Sequence, residues 1–273
     1  MSIVLPFMHI ISVSLSTKDA ITKLSVTFWP KGWEFFAYKS ILKDRIFIRS
    51  FFNTVFITLI VTFLNIIIDV MAAYAFSKNF YGKKVFNYYF ILTMYFSGGL
   101  IPFYLLMTNY LHLYNSFLAL ILPALVNVFY IIVIRTQIQA IPQSLTEAAI
   151  IDGANEGQAL FKIVIPSIVP TLAAIGMFIA LGTWNSWFGV MVFINDNTKW
   201  TLQYYLRKIL VDKLLTASLS DAGQKLLEMG LTEVMPENYQ MAAIILVALP
   251  IVCIYPFVQK YFVKGILVGS VKE

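Results

Sequence analysis

Few residues in this 273-residue chain have the types and spacing that do chemistry. His9 and His112 lie far apart in sequence, and no third ligand accompanies them, so no metal site is expected. Cys253 is the single cysteine. Its apolar surroundings read as a buried, inert thiol, and one cysteine excludes a disulfide scaffold or a multi-cysteine metal centre. The chain contains no G-x-x-x-x-G-K-[ST] phosphate loop, no H-E-x-x-H helix and no G-x-S-x-G elbow, so no catalytic residue is assigned. Two features remain. Asp69 sits inside a long apolar run, where a charge is costly and marks a functional candidate by default. The stretch from Gln137 to Pro166, QIQAIPQSLTEAAIIDGANEGQALFKIVIP, is polar and lies between apolar runs.

The local physics of that stretch is readable. Pro142 ends the preceding helix. Ser144 and Glu147 form an S-x-x-E capping box, which predicts a helix starting at Leu145. Ala148, Ala149, Ile150 and Ile151 continue it, and Gly153 suits the left-handed residue that closes it. A second short helix is expected from Asn155 to Val164, stopped by Pro166. Two short helices at an angle, with a small-residue face, make a compact knob that a partner groove can approach closely.

The elements that must hold this knob follow from composition. The chain is 59% hydrophobic and 12% charged, against roughly 25% charged in soluble domains. So little charge cannot cover a water-facing surface, which excludes an ordinary soluble enzyme. A spanning helix needs roughly 20 mostly apolar residues. Five runs qualify: Phe51–Phe76, Val85–Tyr110, Phe117–Ile134, Ile168–Ile194 and Tyr239–Val263. Ile3–Leu15 is apolar but shorter, and reads as the outer part of a first helix that begins outside this chain. The fold class expected is all-α, a polytopic membrane bundle of about six helices, with residues 1–273 forming a single transmembrane domain. The net charge of +6 is scattered between apolar runs and is no nucleic-acid footprint. Basic residues on both sets of loops leave orientation undecided on charge alone.

Glu147-Ala148-Ala149, three residues, Gly153, nine residues, then Ile163-Val164-Ile165-Pro166 resembles the EAA motif of bacterial ABC importer permeases, with Ile165 in place of Leu. Asp152-Gly153-Ala154, Phe161, Trp184-Asn185 and the tail Lys264–Lys272 are similar to the carbohydrate-uptake branch. The resemblance covers nearly the whole chain, and only the short first helix departs from it. It implies a multi-pass subunit of a bacterial cell membrane that forms half of a pathway for a saccharide, in particular an oligosaccharide. It implies a second permease subunit, an ABC ATPase dimer carrying ATP and magnesium, and an extracellular solute-binding protein; no cofactor belongs to this chain. It makes residues 140–166 a cytoplasmic coupling loop, with Ser144, Glu147, Ala148, Ala149, Asp152, Gly153, Ala154, Phe161 and Pro166 as ATPase-coupling candidates, and residues 195–238 an extracellular loop.

The remaining candidates admit two readings each. Asp69 faces the pathway or a partner permease, or lies at a water-accessible end of its span. Trp184, Asn185 and Trp187 offer indole faces and an amide to a passing saccharide, or form an aromatic belt with one interhelical hydrogen bond. Gly98, Gly99 and Pro102 mark a gate hinge or a packing kink. Arg135 reads as an interfacial anchor. Thr198–Leu214 reads as an amphipathic helix with Arg207, Lys208 and Lys213 on its polar side. A secondary transporter without an ATPase is the alternative function. It predicts several buried ionisable groups and paired inverted halves, whereas only Asp69 is a clear candidate for such a group and the EAA loop has no counterpart in the other half.

Overall fold

The computed structural model describes residues 4–218 and 237–270. Every regular element among them is helical. Val271 and Lys272 of the tail, and residues 219–236 of the loop expected at 195–238, lie outside the described residues.

Arg45–Ser77 and Glu237–Ile254 are each long and apolar enough to cross a membrane as single helices. Three pairs of helices, each bent at a short break, are apolar and long enough for a span only when taken together: Lys83–Tyr95 with Leu100–Tyr110, Leu118–Ala124 with Val128–Gln139, and Glu156–Ser167, which belongs to the polar stretch described below, with Val169–Trp184. Counting each pair once gives up to five spans; Val4–Ser14 is the shorter apolar helix. The bends fall where the sequence removes helix continuity. The sharpest, 108°, follows Ser97-Gly98-Gly99, with Gly99 at φ +85°. A 40° bend separates Ala124 from Val128, and an 80° bend lies at Ile168. The span expected over Ile168–Ile194 is corrected accordingly: its helix ends at Trp184, and Phe188–Phe193 is a separate short helix. Asn185 and Ser186 at the break are residues whose side chains compete with helical backbone bonding.

The chain divides into two compact units. One comprises Met1–Val55 and Trp184–Cys253. Its core joins Ala37, Ile41 and Phe47 to Trp184, Leu202, Tyr205, Ile209, Ala242, Ala243 and Val247. The amphipathic helix is observed as Leu202–Ser218, with Leu202, Tyr205 and Ile209 buried and Arg207 and Lys208 exposed. Its start is pinned by hydrogen bonds: the buried Thr54 hydroxyl accepts the Leu202 N–H at 2.8 Å, and Asn53 donates to the carbonyls of Thr198 and Trp200. Cys253 is exposed, not buried as expected: among the described residues no segment covers it.

The other unit comprises Phe56–Thr183 and Ile254–Glu273. Ile57, Val61, Val70, Ala73 and Phe76 of the Arg45–Ser77 helix pack on Ile131, Ile134 and Ile138, and on Leu160, Val164, Ile168, Leu172, Ile175 and Ile179. Gly176 eases the approach: a Cβ there would stand 2.9 Å from the Ile66 Cδ1 and would make that side chain shift. Small residues serve this purpose at membrane helix interfaces. Arg135 is no free interfacial anchor. Its Nη1 donates to Asn87 Oδ1 at 3.2 Å, which joins two neighbouring spans.

Candidate functional site

The Gln137–Pro166 stretch forms the two short helices expected of it. The first, Gln143–Ile151, starts two residues earlier than the sequence implies. Pro142 is its N-cap, with φ −55°, and no side chain caps it. The Ser144–Glu147 capping box is therefore absent: Ser144 lies inside the first turn, where its hydroxyl is not at the capping position. Proline before a first turn already fixes a compatible φ. The end of the helix is as expected. Gly153 has φ +85°, its N–H donates to Ile150 O at 3.0 Å, and the Ala154 N–H donates to Ala149 O at 2.9 Å. That pair of bonds is the Schellman closure, which satisfies the last carbonyls of the helix.

The capping box appears instead on the second helix. Asn155 Oδ1 accepts the Gln158 N–H at 2.8 Å, and Gln158 Oε1 accepts the Asn155 N–H at 3.0 Å. The helix runs from Glu156 through a widened turn at Leu160–Val164 and on to Ser167. Pro166 does not stop it. The i→i+5 turn just before it shifts the bonding register, so the missing proline N–H is tolerated; the chain turns by 80° only at Ile168.

Burial divides the knob into foot and face. Ala159, Leu160 and Val164 are buried and root it in the core. Glu147, Ala148, Asp152, Gly153 and Pro166 are exposed, while Ala149 and Ala154 are half-buried. Leu145 and Ile150 are exposed as well, Ile151 is 84% exposed and Phe161 is 67% exposed. Large apolar side chains facing outward on a polar segment mark an interaction surface; Phe161 also borders the groove lined by Ile66, Ile67, Val70 and Met71.

The other candidates lie elsewhere. Asp69 is fully buried. Its Oδ1 accepts the N–H of Asn127 at 3.2 Å, and one turn earlier Asn65 Nδ2 donates to Ala124 O at 2.7 Å. Both side chains thus serve the broken backbone between Leu118–Ala124 and Val128–Gln139. Trp184 is buried, its indole N–H reaching Val247 O at 3.4 Å and its ring lying edge-on to Phe51. Asn185 is exposed and accepts from Gln203 Nε2 at 2.9 Å. Trp187 carries the Arg207 guanidinium over its ring at 3.5 Å. Asn185 and Trp187 therefore meet successive turns of the Leu202–Ser218 helix, while Trp184 belongs to the core.

The profile of the family described as "Binding-protein-dependent transport system inner membrane component" matches residues 66–268. The chain belongs to this family. Among its relatives, the polygalacturonan/rhamnogalacturonan transport system permease protein YtcP of Bacillus subtilis is 36% identical over 271 residues, 98% of this chain and 92% of the relative. The arabinooligosaccharides transport system permease protein AraQ of Halalkalibacterium halodurans is 30% identical, over 81% of this chain and 73% of the relative. A crystal structure of a bacterial ABC transporter involved in the import of the acidic polysaccharide alginate holds a chain similar to this one, with TM-score 0.85 and 35% identity. That likeness covers 96% of this chain and 91% of that one. The chain is thus a multi-pass permease of a binding-protein-dependent transporter.

Among the described residues of the permease, no group of three His, Cys, Asp or Glu side chains could hold a metal ion. Sequence reasoning missed one cluster beside the knob. Glu156 accepts a hydrogen bond from the Tyr74 hydroxyl and pairs with Lys78 Nζ at 3.0 Å. These partners are 82 and 78 residues away, and no local pattern could announce them. Hydrogen bonds from Tyr74 and Lys78 hold the Glu156 carboxyl below the usual carboxylate range. Burial pulls the Lys78 ammonium down, but its contacts with Glu156 and Tyr74 outweigh this and leave it raised.

Proposed function

We propose that this permease forms half of the pathway of an ATP-driven importer for a saccharide, in particular an oligosaccharide, in a bacterial plasma membrane, with the whole chain acting as one transmembrane domain. A second permease subunit completes the pathway, and an ABC ATPase dimer binds ATP with magnesium and hydrolyses it. An extracellular binding protein delivers the solute. The observation that carries the reading is the Gly153-closed knob: an exposed apolar face, Leu145, Ile150, Ile151 and Phe161, on a polar segment at EAA spacing within the family match. In this reading the knob seats in the ATPase, and Glu147, Ala148, Ala149, Asp152, Gly153 and Ala154 shape its contact. The saccharide class is supported by the names of the relatives, which concern polygalacturonan/rhamnogalacturonan and arabinooligosaccharides. Asn185 and Trp187, on exposed or half-buried surface, are the candidates for contact with the solute or its binding protein, and Asp69 acts through the backbone break that it holds.

The test is assembly and uptake. The chain is co-expressed with a second permease, an ABC ATPase and a solute-binding protein, purified as a complex and placed in vesicles. Uptake of galacturonate or arabinose oligomers that depends on ATP and binding protein is the expected result. A lone chain that transports either oligomer without ATPase would establish the secondary-transporter reading instead.

A further inference from the structure

Among the described residues, two kinds of contact join the knob to the rest of its unit. One is apolar, the foot formed by Ala159, Leu160 and Val164. A greasy foot fixes position but leaves angle soft, because apolar contact is non-directional. The other is polar and directional. Glu156 opens the second helix directly after the Asn155 capping box, and its carboxylate is turned toward the end of the Arg45–Ser77 helix. Tyr74 donates to it there, and Lys78 Nζ approaches Oε2 at 3.0 Å and Oε1 at 3.3 Å. Lys78 also lies over the Tyr74 ring, 5.0 Å from its centroid. The loop carrying Lys78 is itself braced, since Lys83 Nζ donates to the Lys78 carbonyl at 2.7 Å. A carboxylate at a first helical turn is favoured by the helix dipole as well.

We infer that Tyr74, Lys78 and Glu156 form a latch that sets the angle of the 143–167 knob against the Arg45–Ser77 helix, making them positioning residues for coupling. The inference deepens the proposed function, because the angle matters through the partner on which the knob acts. Glu156 is distinct from the exposed apolar face that does the docking. The cluster joins the knob to the very helix whose Asn65 and Asp69 hold the neighbouring backbone break. A tilt of that helix is therefore passed to the knob through three side chains, in addition to the apolar foot.

The latch is tested first without any ligand or partner. In the full chain with Cys253→Ser, nitroxide labels at Met71→Cys and Ile151→Cys report the distance between the helix and the knob. Glu156→Gln and Lys78→Ala each broaden the distance distribution, and the charge exchange Lys78→Glu with Glu156→Lys narrows it again. In the assembled transporter, Glu156→Gln lowers the ratio of substrate-stimulated to unstimulated ATP hydrolysis about threefold, as an exposed pair allows, and the exchange restores it. The inference is overturned by an unchanged distance distribution in Glu156→Gln. It is also overturned if Glu156→Gln releases the ATPase while Lys78→Ala does not, because Glu156 then touches the partner directly. A wild-type complex that never binds ATPase removes the proposed function, and the label distances decide the latch on their own.

Discussion

Replacing Gly153 by Val isolates the contribution of one backbone angle. The residue sits at φ +85° with nothing within 4 Å of the position a Cβ would take, so the new side chain meets open space and the cost is conformational. An L-residue in the left-handed region costs about 1–2 kcal/mol, and a β-branched one stands at the upper end. The chain can instead relax to negative φ. It then loses the Gly153–Ile150 and Ala154–Ala149 bonds and re-aims the second helix. Either way the correct geometry becomes about 5–30-fold less populated relative to alternatives. Gly153→Asn is the control, since Asn tolerates the left-handed region. The assay is substrate-stimulated ATP hydrolysis and ATPase co-purification in the assembled transporter. Val should lower both and Asn should keep most of each, while all variants reach the membrane, because no span is altered. Wild-type values for Gly153→Val in both measurements would refute the docking role of the knob.

Asp69→Ala removes the acceptor of the part-buried Asn127 N–H and should cost about 1 kcal/mol, read as a lower melting midpoint in detergent; Asp69→Asn keeps an oxygen there and should cost less. Arg207→Glu and Lys208→Glu remove the cations stacked on Trp187 and Trp200; binding-protein affinity should fall, most at low salt, while assembly is unchanged. The Glu156 carboxyl is depressed by its hydrogen bonds. Its contribution is therefore fully present above its unfolded value, about 4.3, and is lost only as pH falls through the lower folded value. The label distance between Met71→Cys and Ile151→Cys should stay constant from neutral pH down to about 4.3, broaden only below that as the carboxylate takes up its proton, and show no such transition in Glu156→Gln.

The spans were legible because a bilayer demands long apolar runs, and Arg45–Ser77 meets that demand without interruption. Gly153 was legible because a left-handed closure almost requires glycine there. The start of the same helix was misread: Ser144 and Glu147 have the spacing of a cap, but Pro142 ends the extended chain two residues earlier and takes the capping position. Pro166 was misread for a related reason, since a widened turn can absorb the missing donor. Ser97-Gly98-Gly99 announced a break but not its 108° angle, which depends on neighbours far along the chain. The pairings of Glu156 with Tyr74 and of Arg207 with Trp187 are tertiary, and nothing in a local pattern encodes them.

The bond between Asp69 and Asn127 spans 58 residues, and that separation is also a delay. A ribosome adding about 5–20 residues per second delivers the partner roughly 3–12 s after Asp69 itself. During that interval the Arg45–Ser77 helix is long and apolar enough to enter the bilayer, carrying a carboxyl and the Asn65 amide that have no protein partner yet. The order of synthesis thus produces a stage in which an inserted helix exposes its polar stripe, sheltered by water or by the insertion machinery, until the Leu118–Gln139 segment arrives to cover it. Slowing translation between these two elements should lengthen that stage and raise the yield of degraded chains, while Asp69→Leu should shorten the hazard and weaken the finished bundle.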